Sequence, residues 1–176
     1  MNEHETTEQF EQAILPHLGA AYNLARWLTR NAHDADDLVQ EAYLRAFEHY
    51  DGFRGQSARA WLLTIVRNTF YSRLRHTGTA GQAAEFDEQI HTPDHSADDP
   101  ESLALKEAAS VELADALREL PEEYREAIVL RELEELSYKE IAGIAGVPIG
   151  TVMSRLARAR DRLRSLLCPP RTKASS

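Results

Sequence analysis

The sequence predicts an all-α protein of two small helical domains joined by a flexible acidic linker, and three observations carry that expectation. Apolar residues recur at spacings of three and four along most of the 176 residues, with no strand-like alternation of any length. Glycine, proline and acids gather in one internal stretch, residues 77–100, leaving little there to bury. Residues 137–164, SYKEIAGIAGVPIGTVMSRLARARDRLR, have the layout of a helix-turn-helix.

The first helix is expected over residues 8–31, where Ile14, Leu18, Ala21, Leu24 and Leu28 line one side and Pro16 is placed to split it. Asp34 is the expected N-cap of the next helix, with Asp36 and Asp37 favourable to its dipole. Leu38, Ala42 and Ala46, widened by Val39, Tyr43 and Phe47, form its apolar face. Residues 50–57, YDGFRGQS, carry two glycines and read as a loop. A helix follows over 58–75, with Leu62, Ile65, Val66, Thr69 and Phe70 as core candidates; Trp61 has the spacing to face core or surface. Beyond the acidic stretch, Asp99 and Pro100 suit the start of a helix reaching Leu120. Pro121, Glu122 and Glu123 then restart helix toward Leu133. Residues 169–176 read as a tail.

Within residues 137–164, Ser137 and Glu140 have the S-x-x-E spacing of a capping box, which satisfies free N–H groups at a helix start. Counted from Tyr138, Ala142 is fifth, Gly146 ninth and Val152 fifteenth. The small residue lets two helices cross closely, the glycine takes the turn, and the β-branched residue seats the second helix on the first. Pro148 suits the second helix's first turn. Arg155, Arg158, Arg160, Arg162 and Arg164 follow with only Asp161 opposing them. A helix of this kind is expected to lie against DNA.

A net charge of −9 argues against nucleic acid only as an average, because the charge is segregated. Residues 52–76 hold five arginines and no acid; residues 148–176 hold six arginines and one lysine against one acid; residues 83–101 hold seven acids and no Lys or Arg. Two basic patches flanking an acidic spacer point to two contacts with nucleic acid. No apolar run approaches the roughly 18 residues of a membrane helix, and the acidic start MNEHETTEQFEQ is not a secretory signal. A cytoplasmic location without membrane insertion is expected. The lone Cys168 has no internal disulfide partner. No Gly-rich phosphate loop, nucleophile elbow or H-E-x-x-H motif occurs, so no cofactor and no enzymatic activity are expected. His91 and His95, with Asp87 and Asp94 close by, lie in the acidic stretch without a scaffold to fix a coordination sphere, and no metal site is expected.

With these residues laid out, the chain resembles a bacterial RNA polymerase sigma factor of the extracytoplasmic-function group. Four stretches carry the resemblance in the family's order: DADDLVQEAYLRAF (34–47), FRGQSARAWLLTIVRN (53–68), LPEEYREAIVLRELEELSYKEIA (120–142) and GVPIGTVMSRLARAR (146–160). The resemblance implies a polymerase-binding, −10-melting domain over residues 1–76 and a linker over 77–105. It further implies a −35-binding helix-turn-helix domain over 106–168, before the tail of residues 169–176. Implied partners are core RNA polymerase, promoter DNA and an anti-sigma protein.

Carried over position by position, Asp37, Gln40 and Glu41, with Tyr43 and Phe47, match the family's grip on core polymerase. Asp37 and Glu41 are four apart and so share one helix face. Arg54, Gly55, Gln56 and Ser57 match the loop that captures an unstacked −10 base, with Asn68 lining the pocket and Arg59 and Arg67 on phosphates. The loop is one residue shorter than the commonest family form. In the helix-turn-helix, Val152, Leu156, Ala159 and Leu163 have core spacing. That leaves Gly150, Thr151, Met153, Ser154, Arg155, Arg158 and Arg162 toward −35 DNA, Gly150 by letting phosphate approach and Arg158 as the candidate for guanine. Met153 and Ala157 stand where some relatives carry larger or polar reading residues. The linker is either a soluble tether or, as the family implies, a segment in the polymerase's RNA exit path. The rival reading is a sigma-like mimic that sequesters an anti-sigma protein without reading DNA; arginines along the second helix argue against it.

Overall fold

The computed structural model describes residues 3–55, 57–78 and 100–170, and only the backbone of Glu3 and residues 100–107. Among the described residues every regular element is helical. The first expected helix is two, α1 (Glu3–Ile14) and α2 (Leu18–Thr29), separated by a 3-10 turn over Leu15–His17. Pro16 sits in that turn, where its ring and missing N–H interrupt the α-helical ladder. The next helix, α3 (Ala32–Glu48), starts earlier than expected, and its N-cap is Asn31 rather than Asp34. Asn31 is extended; its Oδ1 accepts the Asp34 N–H at 2.7 Å while its amide donates to Asp34 Oδ2 at 2.6 Å. Asp34 is therefore the third helical residue of a reciprocal cap, a position as acceptable to an acid as the cap itself.

The loop of residues 50–57 contains a 3-10 turn, Tyr50–Gly52, before α4 (Ala58–Thr77). Ser57 caps α4 by accepting the Ala60 N–H at 3.3 Å, and Gly78 ends it at φ 61°. Phe10, Leu24, Leu38, Leu62, Leu63 and Val66 are buried where α1–α4 meet. The second half has α5 (Pro100–Glu119) and α6 (Glu122–Ile128), with α6 running into a five-residue π-turn, Val129–Leu133. Then come α7 (Tyr138–Ala145) and α8 (Ile149–Leu167). The acidic stretch itself, residues 79–99 with His91 and His95, lies outside the described residues.

The capping box of α7 forms on both sides. Glu140 N–H donates to Ser137 Oγ at 3.1 Å, and Ser137 N–H donates to Glu140 Oε2 at 2.8 Å. Hydrogen bonds from the Ser137 backbone and hydroxyl hold the Glu140 carboxyl below its ordinary value of 4.5. A lowered carboxylate stabilises the fold above that value and stops doing so as pH falls through its own. Ser137→Ala is expected to lower stability by about 1 kcal/mol, read by thermal unfolding; a change within about 0.3 kcal/mol would show the cap to be idle. Gly146 takes the turn at φ 67°, a left-handed conformation costly for any residue with a Cβ. Pro148 stands one residue outside the expected first turn, as the N-cap of α8, and its carbonyl accepts the Thr151 and Val152 N–H groups at 3.0 and 3.3 Å.

The two halves pack on one another, α2 and α4 against α6, α7 and the π-turn, and their buried apolar residues are contiguous. The seam is heavily polar. Glu134 accepts Asn23 Nδ2 at 2.7 Å and Arg59 at 2.6 Å. Glu126, 2% exposed, pairs with Arg67 at 2.5 Å and accepts the Tyr71 hydroxyl at 3.3 Å. The neighbouring Arg125 is fully buried. Its Nη1 donates to the Arg118 and Leu120 carbonyls, while Nε and Nη2 have no hydrogen-bond partner. Burial, reinforced by the Arg30 charge, lowers its pKa to about 10.

Candidate nucleic-acid interface

The sequence of α8 divides it into a seat and a free face. Val152, Leu156 and Ala159 are buried and Leu163 is half-buried. Opposite them, Met153, Ser154, Arg158 and Arg162 are exposed and Thr151 is half-buried. Ser154 Oγ donates to the Thr151 carbonyl at 3.0 Å. A Cβ added to Gly150 would meet nothing within 4 Å, so nothing inside the described fold requires glycine there.

The arginines of α8 are not equivalent. Arg155 reaches back to Glu123 of α6 at 3.5 Å, its side chain only 16% exposed. Arg160 pairs with Glu132 at 2.8 Å and Arg164 with Asp161 at 3.0 Å. Arg158 and Arg162 have no ion-pair partner among the described residues. Being four apart, they share one helix face. An expected run of five cations is thus two outward charges and three that brace the domain or are neutralised.

On α4 and its loop, Arg54 donates to the Asp51 carbonyl at 3.1 Å, and Gly55 takes φ 66°. Gln56 lies outside the described residues. Asn68 is exposed, and with Trp61, Thr64 and Ile65 of α4 and Arg45 and His49 near the end of α3 it lines an open groove of about 370 Å³. Trp61 faces both ways: half-buried, it packs on Phe53 and Tyr50 at 5.2 and 6.4 Å between ring centres while lining the groove. Arg59 and Arg67 do not point to solvent as phosphate contacts would; both are engaged across the seam.

The third surface is α3. Asp37 and Gln40 are exposed; Glu41 is half-buried, bonded by Arg73 and Arg45 at 2.7 Å each. Partial burial opposes its charge, but those two guanidiniums hold its carboxyl below the usual range. Tyr43 and Phe47 both pack edge-on against Phe10 at 5.1 and 5.2 Å, and Phe47 remains 46% exposed. Leu44, not singled out in the sequence, is 61% exposed between Gln40 and Phe47. The stripe Asp37, Gln40, Leu44, Phe47 follows i, i+3, i+7, i+10, and an apolar residue left bare on it is the signal that exposes it as a docking face.

Residues 13–79 match the family model of sigma-70 region 2 and residues 110–163 that of sigma-70 region 4. The extracytoplasmic-function RNA polymerase sigma-E factor of Haemophilus influenzae is 37% identical over 155 residues, covering 83% of this chain and 80% of the relative. The chain belongs to the extracytoplasmic-function sigma factors. The sigma factor SigE of Mycolicibacterium smegmatis is 35% identical over 160 residues, 90% of this chain but 61% of that longer protein. Among solved structures, the sigma factor RpoE in complex with the anti-sigma factor NepR, from Bartonella quintana, matches with TM-score 0.73 and 34% identity over 93% of this chain and 99% of that one. CnrH in complex with the cytosolic domain of CnrY matches with TM-score 0.65 and 28% identity over 92% and 88%.

As a sigma factor the chain is a promoter-recognising subunit that works with core RNA polymerase. The region 2 match covers the α4 groove and the α3 stripe, and the region 4 match covers the free face of α8. Among the described residues no cluster of metal-binding side chains occurs, and no helix is long and apolar enough to cross a membrane. What the sequence missed in this sigma factor is the pairing of Arg155, Arg59 and Arg67. Each partner acid lies 32 to 75 positions away, beyond the reach of spacing rules.

Proposed function

We propose that the three surfaces divide initiation between them. The α3 stripe of Asp37, Gln40, Glu41, Tyr43 and Phe47 holds core polymerase, with Leu44 added to it. Residues 54–57 and the α4 groove, with Asn68, take an unstacked −10 base, and Arg59 and Arg67 take phosphates once released from the seam. Thr151, Met153, Ser154, Arg158 and Arg162 meet the −35 duplex, with Gly150 admitting a phosphate and Arg155 contacting from the edge. Residues 1–76 and 106–168 are the working domains, and 77–105 tether them. The chemistry is the polymerase's, in the bacterial cytoplasm.

The observation that carries this reading is the pair Arg158 and Arg162, bare and four residues apart on the helix after the Gly146 turn. A mimic built only to occupy an anti-sigma protein has no use for unpaired cations there. One similar structure is a complex of the sigma factor RpoE with the anti-sigma factor NepR, which supports an anti-sigma partner for this chain. In-vitro transcription with core polymerase over a genomic promoter pool tests the whole: initiation is expected at a small set of promoters only when the chain is added. No stimulation at any promoter would leave the mimic as the better reading.

A further inference from the structure

We propose that the free chain closes on itself, and that Glu126 and Glu134 stand in for promoter phosphates on the α4 arginines. The proposal rests on the assignment of Arg59 and Arg67 to −10 phosphates. Those arginines are eight residues apart on α4, and Glu126 and Glu134 are eight apart on α6 and its π-turn. Arg59 meets Glu134 at 2.6 Å and Arg67 meets Glu126 at 2.5 Å, so the two segments run antiparallel with their charges in register. A carboxylate offers a guanidinium the same paired oxygens that a phosphate does. Glu134 is braced by Asn23, and Arg59 donates to its carbonyl as well as its carboxylate. The Arg67 guanidinium lies over the Tyr71 ring at 4.5 Å.

The closed form cannot serve both promoter elements at once. Elements at −35 and −10 are about 25 base pairs apart, about 85 Å at 3.4 Å per pair. A compact chain of this length has a radius of gyration of only about 16 Å. The 22 residues between Thr77 and Pro100 reach at most about 75 Å when extended, enough for the halves to part. The ionic part of the seam adds little net attraction to hold it shut. Burying Arg67 with Glu126 costs desolvation that offsets much of their attraction, and Arg125, next to Glu126 in sequence, keeps two nitrogens, Nε and Nη2, without acceptors. A polymerase surface that engages α3, followed by DNA that takes the arginines, is sufficient to displace the acids.

Small-angle scattering of the full chain reports closure, and anisotropy of a labelled random-sequence single-stranded DNA 12-mer reports access to the arginines. Glu126→Gln with Glu134→Gln is expected to raise the radius of gyration from about 16 Å to above about 20 Å. It should tighten 12-mer binding about five-fold, by raising the competent fraction. The gain is measured against Glu5→Gln with Glu8→Gln, which removes the same charge from exposed positions of α1. Charge reversal separates opening from misfolding: Glu134→Arg should expand the chain, and adding Arg59→Glu should restore the compact radius, with helicity by circular dichroism unchanged throughout. A wild-type chain already expanded, or a glutamine variant that stays compact, overturns closure. Expansion without tighter 12-mer binding overturns the phosphate mimicry, while the phosphate assignment falls separately if Arg59→Ala with Arg67→Ala leaves promoter opening by the holoenzyme unchanged.

Discussion

Leu156→Ala is expected to destabilise the second half by about 2–5 kcal/mol, the largest effect of any single change considered for this sigma factor. Leu156 is 1% exposed, midway along α8 between Val152 and Ala159, which are equally buried. Removing its branched end thins the core on which α8 packs with α6 and α7 and leaves a void that helices anchored by a capping box and a glycine turn cannot collapse to fill. Denaturant unfolding of the full chain, followed by circular dichroism, reads the loss. Leu133→Ala is the comparison: at 47% exposed it should change stability by less than about 0.5 kcal/mol. Equal losses at both positions would mean that α8 is not seated as described.

Arg158→Ala is expected to leave stability unchanged and to cost about 1–3 kcal/mol of −35 binding, roughly 5- to 150-fold. The guanidinium is exposed and has no ion-pair partner among the described residues, so truncation orphans nothing inside the protein. The loss should concentrate at one base pair, because a bidentate contact to a base edge discriminates whereas a phosphate contact does not. Holoenzyme transcription from promoters carrying every single substitution in the −35 element measures it. A uniform loss across all sequences would place Arg158 on phosphate. Arg155→Ala should behave differently, because it also deprives Glu123 of its partner across α6 and α8.

The local devices of this fold were legible because each is complete within a few residues. Ser137 and Glu140 cap one another three positions apart, Gly146 turns at the ninth place, and Pro16 breaks its helix where it stands. The seat of α8 followed from spacing alone, as Val152, Leu156 and Ala159 are buried. The errors at helix starts are also physical. Asn31 and Asp34 are both good caps, and the choice between them depends on which backbone is extended, which composition does not encode. The ionic seam was not legible at all. Arg59 and Arg67 carry the same local pattern whether they face DNA or an acid from the other half, and only tertiary packing separates the two. Leu44 escaped notice for a similar reason, since exposure is a property of what fails to cover a residue.

The π-turn over Val129–Leu133 lies between the two acids of the seam. Eight residues of regular α-helix would leave Glu126 and Glu134 about 80° out of line. A turn closed by i to i+5 bonding uses one residue more for the same rotation, which brings both carboxylates toward one side. The Glu134 N–H bond to the Val129 carbonyl, at 3.1 Å, marks where that happens. Alignment of the halves is therefore set by how the backbone of this turn is wound rather than spelled in side chains. Winding the same eight positions as regular α-helix swings Glu134 away, whereas loss of one residue from the turn leaves seven regular steps, about 20° from alignment, and keeps the acids together. The register of the seam is thus held by a distortion of the backbone that regular helical winding would undo.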